Sequence, residues 1–135
     1  MSFSLDDRLA ADTFVVGDMA LSRVLLMNDA RYPWLILAPR REGVVELTDL
    51  NQIDRAQLIE EAAEAAAFLM RYANAYKINI ATLGNIVRQL HLHVVARSIG
   101  DAAWPGPVWG HGDALRYTQA DALALVEAAR HGLAL

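Results

Sequence analysis

Residues 88–97 read RQLHLHVVAR. Two of the chain's four histidines, His91 and His93, stand here at alternate positions, with Gln89 two residues before His91. In an extended strand successive side chains point to opposite faces, so Gln89, His91 and His93 share one face. Leu90, Leu92 and Val94 share the other. The alternation predicts a strand over 87–97, apolar toward a covering helix and polar on the side that carries two imidazoles and an amide. Imidazole near neutral pH is a nucleophile, a proton carrier or a metal ligand. The spacing leaves three readings open: a polar strand face in solvent, a metal pair, or a catalytic pair. A zinc site would need a third protein ligand, for which His111 and Asp113 are the candidates.

On either side of this stretch the periodicity changes. KINIA (77–81) reads as a strand and LGN (83–85) as a turn, where Gly84 supplies backbone freedom and exposes N–H groups. Before them, from Asp54 to about Ala75, the chain is Ala-rich. Asp54 and Gln57 stand at capping-box spacing. Leu58, Ala62, Ala65, Leu69 and Tyr72 recur at intervals of three and four, which predicts a long helix with an apolar stripe. Residues 40–52 read as a polar connection with a short extended piece. WLILAP (34–39) is apolar throughout and ends at Pro39, as a central strand covered on both faces does. FVVGDM (14–19) and SRVLLMN (22–28) form a hairpin pattern, and 4–12 reads as a short helix with Ser4 as its cap. After the histidines comes a Gly-, Pro- and Trp-rich loop (99–113). Thr118 then caps a final amphipathic helix that closes at Gly132. Strands grouped before and after one long helix imply an α+β fold. Its sheet has five mostly antiparallel strands, with the long helix packed on it and a C-terminal helix following.

Composition narrows the function. The 135 residues suit one domain spanning 1–135, and 55% of them are hydrophobic, enough to fill a core. There is no cysteine. Disulfides, thiolate metal sites and cysteine nucleophiles are excluded, and a reducing cytoplasm fits. The first residues are acidic and lack an apolar signal core. No apolar run approaches a membrane span. The net charge of −4 argues against a broad nucleic-acid surface.

RQLHLHVVAR and the Trp-Pro-Gly loop after it resemble the histidine triad (HIT) superfamily of nucleotide hydrolases and transferases. The family motif alternates three histidines with apolar residues; here it reads Gln89-Leu90-His91-Leu92-His93-Val94-Val95. WLILAPRR (34–41), the long helix, YKINIA (76–81) and the Gly84 turn follow in the family's order. The resemblance implies that His91 attacks the α-phosphate of a purine nucleotide derivative and forms a nucleotidyl-histidine, which water or another acceptor releases. It implies that His93 donates to a phosphate oxygen or the leaving group, and that Gln89 takes the first triad position. It brings Asn28 and Asp29 near the ribose, with Trp34, Thr82, Gly84, Asn85 and Arg97 as further substrate contacts. The substrates it implies are dinucleoside polyphosphates and nucleoside phosphoramidates. It further implies a chemical step that needs no metal and no cofactor, and a homodimer. The chain departs from the family at Gln89, which cannot carry a proton at neutral pH. It departs again at Ile86, which stands where many members have a hydroxyl that contacts phosphate. The alternative is a nucleotide-binding protein with little or no catalytic activity.

Three expectations complete the reading. Trp104 and Trp109 are costly to leave wet and are expected at a dimer contact. His111 and His131 read as surface histidines. Met19, Met27 and Met70 read as core filler.

Overall fold

The computed structural model describes residues 2–135. The elements run α1 (Asp7–Ala11), β1 (Thr13–Asp18), β2 (Ser22–Met27), β3 (Trp34–Pro39), a 3-10 turn (Leu47–Asp49), α2 (Gln52–Ala73), β4 (Lys77–Ala81), β5 (Leu92–Arg97) and α3 (Gln119–Gly132). The strands form one sheet in the order β1-β2-β3-β5-β4, with every neighbouring pair antiparallel. The α+β class and the antiparallel sheet expected from the sequence are both present. β3 lies at the centre with all six residues buried, as its unbroken apolar run requires.

The two-residue period sorts the central strands into two faces. Leu35 and Leu37 of β3 and Leu92, Val94 and Ala96 of β5 meet Leu58, Ala62, Ala65 and Leu69 of α2. Leu125, Val126 and Ala129 of α3 complete this cluster. Each fully buried Leu or Val contributes about 1.5–3 kcal/mol of transfer free energy. Trp34, Ile36 and Val95 point the other way and are covered by Leu9 of α1 and by Ala103 and Val108 of the loop 99–113. His93 and Arg97 belong to this second face by the same alternation.

Several expectations are corrected. β5 begins at Leu92, not at residue 87, because its pairing with β3 stops at Leu92 opposite Leu37. The N–H of Leu90 turns instead to the carbonyl of Val44 (3.0 Å). Asp6, not Ser4, caps α1, its carboxylate accepting from the N–H groups of Arg8 and Leu9. Asn51 caps α2 by accepting from the N–H of Asp54 (2.8 Å), so the helix starts earlier than the Asp54–Gln57 spacing implied. Asp54 is drawn away to Arg41 (2.8 Å). Gln57 donates to Glu61 (3.0 Å). Tyr72 leaves the apolar stripe and stacks on Phe68 in an exposed position. The connection 40–52 holds the 3-10 turn rather than an extended piece.

Gly132 remains inside α3, where a Cβ would lie 2.5 Å from the Phe68 ring. Its smallness serves close helix packing rather than a left-handed cap. Of the three methionines, Met19 is core, Met27 is half-buried and Met70 is exposed. Glu61, fully buried on α2, accepts from the N–H groups of Leu21 (2.8 Å) and Ser22 (3.0 Å) and so pins the β1–β2 turn to the helix. No helix among the described residues is long and apolar enough to cross a membrane.

Candidate active site

β5 and the residue before it set two imidazoles side by side. The His91 and His93 rings lie 4.9 Å apart, centroid to centroid, and both are buried. They line a cavity of about 610 Å³, a size that suits a nucleotide. Trp34 and Ile36 of β3 and Met27 of β2 form its floor, Val108 and Trp109 one wall, and Gly84, Asn85 and Ile86 another. Gly84 has a φ of +72°, the left-handed conformation that glycine adopts freely. The turn it makes carries this wall.

Hydrogen bonds fix the two rings in opposite tautomers. His91 Nδ1 lies 2.7 Å from the main-chain carbonyl of Gln89. A carbonyl only accepts, so Nδ1 carries the proton and a neutral His91 keeps the lone pair on Nε2. His93 is the reverse: its Nδ1 accepts from the indole Nε1–H of Trp34 at 3.0 Å, which leaves the proton on Nε2. Trp34 and Trp109 also meet His93 edge-on, at 5.6 and 5.3 Å between centroids. One ring thus presents a nucleophilic nitrogen and its neighbour an N–H donor.

Burial first, and the neighbouring His91 second, push His93 down to about 3, so it is neutral at physiological pH. This has a consequence for stability. The unfolded chain, with His93 near 6.5, binds a proton that the folded chain refuses between about pH 6.5 and 3, so stability falls as pH falls through that window. His93 alone is expected to remove about 2 kcal/mol between pH 7 and pH 5. Asp29 and Asp101, held below the usual carboxylate range, act only at lower pH. Urea unfolding at the two pH values checks this, with His93→Asn losing clearly less than the wild type. Equal losses in the two proteins would contradict it.

The other expected site residues divide. Asp29 lines the cavity, but burial is offset by Arg31, whose side chain and N–H bind its carboxylate, and by the N–H of Leu115. Its Oδ2 accepts from two nitrogens of Arg31, at 2.8 and 3.3 Å. Asn28 stands off the cavity and accepts from the N–H of Tyr117 (2.9 Å). Thr82 faces a second, smaller cavity of about 290 Å³, which shares Gly84 and Asn85 with the first. Arg97 does not reach the ligand space. Asp101 grips its guanidinium with two bonds of 2.9 and 3.0 Å, Asn79 accepts a third, and Tyr32 and Trp104 lie against it. Gln89 contributes its carbonyl to His91, while its side chain lies outside the cavity.

Trp109 packs on this chain's own His93, and Trp104 sits edge-on to Tyr76. His111 is exposed, as expected; it lies at the cavity rim, and its main-chain carbonyl accepts from Arg31 (2.6 Å). No group of three or more His, Asp or Glu side chains is placed to hold a metal ion among the described residues. Sequence reasoning missed the contribution of α1 and its C-cap, which supply Arg8, Leu9 and Asp12 to the cavity. It missed Arg31 as well. Nothing in a five-residue helix far from the motif signals that role.

With this geometry in place, comparison with known proteins is direct. The HIT domain family matches residues 8–99. A histidine triad protein of Bradyrhizobium japonicum is 44% identical, with 98% of this chain and 99% of that one covered at a TM-score of 0.95. A histidine triad (HIT) protein of Sinorhizobium meliloti is 45% identical over 96% of each chain, with a TM-score of 0.94. A histidine triad protein of Marinobacter aquaeolei is 40% identical over 99% and 98%, with a TM-score of 0.96. No curated protein sequence matches the chain. The alternating histidines at the start of β5 and just before it, the order of elements around them and these likenesses over nearly the whole length agree: the chain belongs to the histidine triad (HIT) domain family.

Proposed function

We propose that the protein is a HIT-type nucleotide hydrolase or nucleotidyl transferase that acts at the α-phosphate of a purine nucleotide derivative. The observation that carries this reading is the pair of opposite tautomers. His91 Nε2 attacks the α-phosphorus. The Nε2–P bond forms as the bond to the leaving group breaks, and that bond's electron pair departs with the leaving group. The nucleotidyl-imidazolium keeps its Nδ1 proton, and the Gln89 carbonyl stabilises the positive ring. His93, neutral and with its proton on Nε2, donates to a phosphate oxygen while charge builds there. Water or another acceptor then attacks phosphorus. The P–N bond returns its pair to Nε2, and the acceptor's proton passes to solvent.

The departure at position 89 fits this scheme. What His91 takes from residue 89 is a main-chain carbonyl, which any residue supplies. The remaining contacts follow from the walls. Met27, Ile36, Val108 and Trp109 offer apolar surface to a purine, and Trp34 orients His93. Asp29 offers Oδ2 to a ribose hydroxyl, and the Gly84–Asn85 turn offers N–H groups to phosphate. The same reading takes the protein as a cytoplasmic homodimer. A cysteine-free chain fits that compartment, and the edge strand β4 with exposed Tyr76, Ile80 and Ile99 offers a surface to a second copy.

One observation favours a second reading, a nucleotide binder with little turnover. Ile86 stands exposed on the cavity wall with no hydroxyl to offer phosphate. Incubation with adenosine phosphoramidate and with diadenosine tetraphosphate separates the two. AMP release above background supports the enzyme, and AMP binding without release on either compound supports the binder.

A further inference from the structure

The side chain of Gln89 is spent on the N-terminal arm. Its Oε1 accepts from the N–H of Asp6 at 2.8 Å, and its Nε2 donates to the carbonyl of Ser4 at 2.8 Å. This is the pair of bonds that a neighbouring strand would offer the arm. Asp6 in turn caps α1, so the clamp fixes where that helix begins. α1 then lays Arg8 and Leu9 along the cavity, with its C-cap Asp12 after them.

Arg8 is the uncommitted cation there. Arg31, the other arginine on the wall, is bound by Asp29 and by the carbonyl of His111. Among the described residues the Arg8 guanidinium has no carboxylate at ion-pair distance and no hydrogen-bond acceptor, although Asp12 lies on the same wall. A free guanidinium at the edge of a nucleotide-sized cavity is suited to phosphate oxygens, which it meets in bidentate fashion.

We infer that Arg8, placed by the Gln89 clamp, binds the anionic leaving group, so that the protein favours nucleotides whose α-phosphate is joined to further phosphates. The inference rests on the α-phosphate chemistry proposed above. As His91 Nε2 bonds to phosphorus, the electron pair of the breaking P–O bond settles on the bridging oxygen of a group that is already anionic. Arg8 offsets that charge. From a phosphoramidate the P–N bond breaks instead, its electron pair leaves on an amine that takes its proton from solvent, and this uncharged leaving group makes no use of Arg8.

The test compares kcat/KM on diadenosine tetraphosphate and on adenosine phosphoramidate. The ratio of the first to the second is expected to fall about tenfold or more in Arg8→Gln and to be partly kept in Arg8→Lys. Gln89→Ala, which frees the arm, is expected to lower the ratio in the same direction. An unchanged ratio in Arg8→Gln, with both substrates affected alike, overturns the inference. A binding measurement stands apart from turnover. In the His91→Ala background, ADP is expected to bind about tenfold more tightly than AMP, and adding Arg8→Gln removes that advantage. If the wild type turns over neither compound, the catalytic reading fails and this comparison still decides: equal affinities for ADP and AMP before Arg8 is changed overturn the role of Arg8.

Discussion

His91→Ala is expected to lower AMP release from adenosine phosphoramidate by at least about a thousandfold, with AMP binding retained. The size of the effect follows from what is removed. The lone pair on His91 Nε2 is the nucleophile of the first step, and the Gln89 carbonyl keeps it free by holding the proton on Nδ1. His93 cannot take over, because Trp34 occupies its Nδ1 and leaves its Nε2 protonated. Binding survives because the apolar walls come from Met27, Ile36, Val108 and Trp109, which the substitution does not touch. Steady-state AMP release and calorimetric AMP titration check the two halves. A variant that retains more than a tenth of wild-type turnover would mean that water attacks phosphorus directly.

Asp101→Ala is expected to cost about 3 kcal/mol of folding stability and to lower Tm by roughly 10 °C. Arg97 is 1% exposed, and Asp101 is its only carboxylate partner among the described residues. Asn79 and the rings of Tyr32 and Trp104 remain in the variant, but none of them carries a full negative charge. An unpaired buried guanidinium is therefore left behind. The same pair anchors the start of the loop 99–113, since Asp101 also accepts from the N–H groups of Ser98 and Trp104. Asp101→Asn, which keeps an acceptor, should lose less. Urea unfolding of the three proteins measures this, and a loss under about 0.5 kcal/mol for Asp101→Ala would mean that Arg97 finds solvent or another anion.

Much of the scaffold was legible because it rests on local periodicity. The alternation in LHLHVV sends His93 to one face and Leu92 and Val94 to the other, as β5 does. The unbroken run of 34–39 becomes the central strand. The spacing of Leu58, Ala62, Ala65 and Leu69 becomes the buried stripe of α2. What failed depends on partners distant in sequence. Asp54 had the spacing of a cap but meets Arg41, and the cap passes to Asn51. The strand pattern at 87–91 loses its ladder because Val44 takes the N–H of Leu90. Gln89 read as a member of a polar strand face, yet its amide serves an arm more than eighty residues away. The same distance hid Arg8. Arg97, expected as a substrate contact, is held instead by Asp101.

The central claim is that His91 becomes covalently nucleotidylated, and mass spectrometry of rapidly quenched protein tests it most directly. After mixing with adenosine phosphoramidate and quenching without acid, a peptide containing His91 is expected to carry one adenylyl group. The adduct should decay as AMP appears and be absent from His91→Ala. AMP release with no adduct on His91 at any time, or an adduct on another residue, would contradict the account.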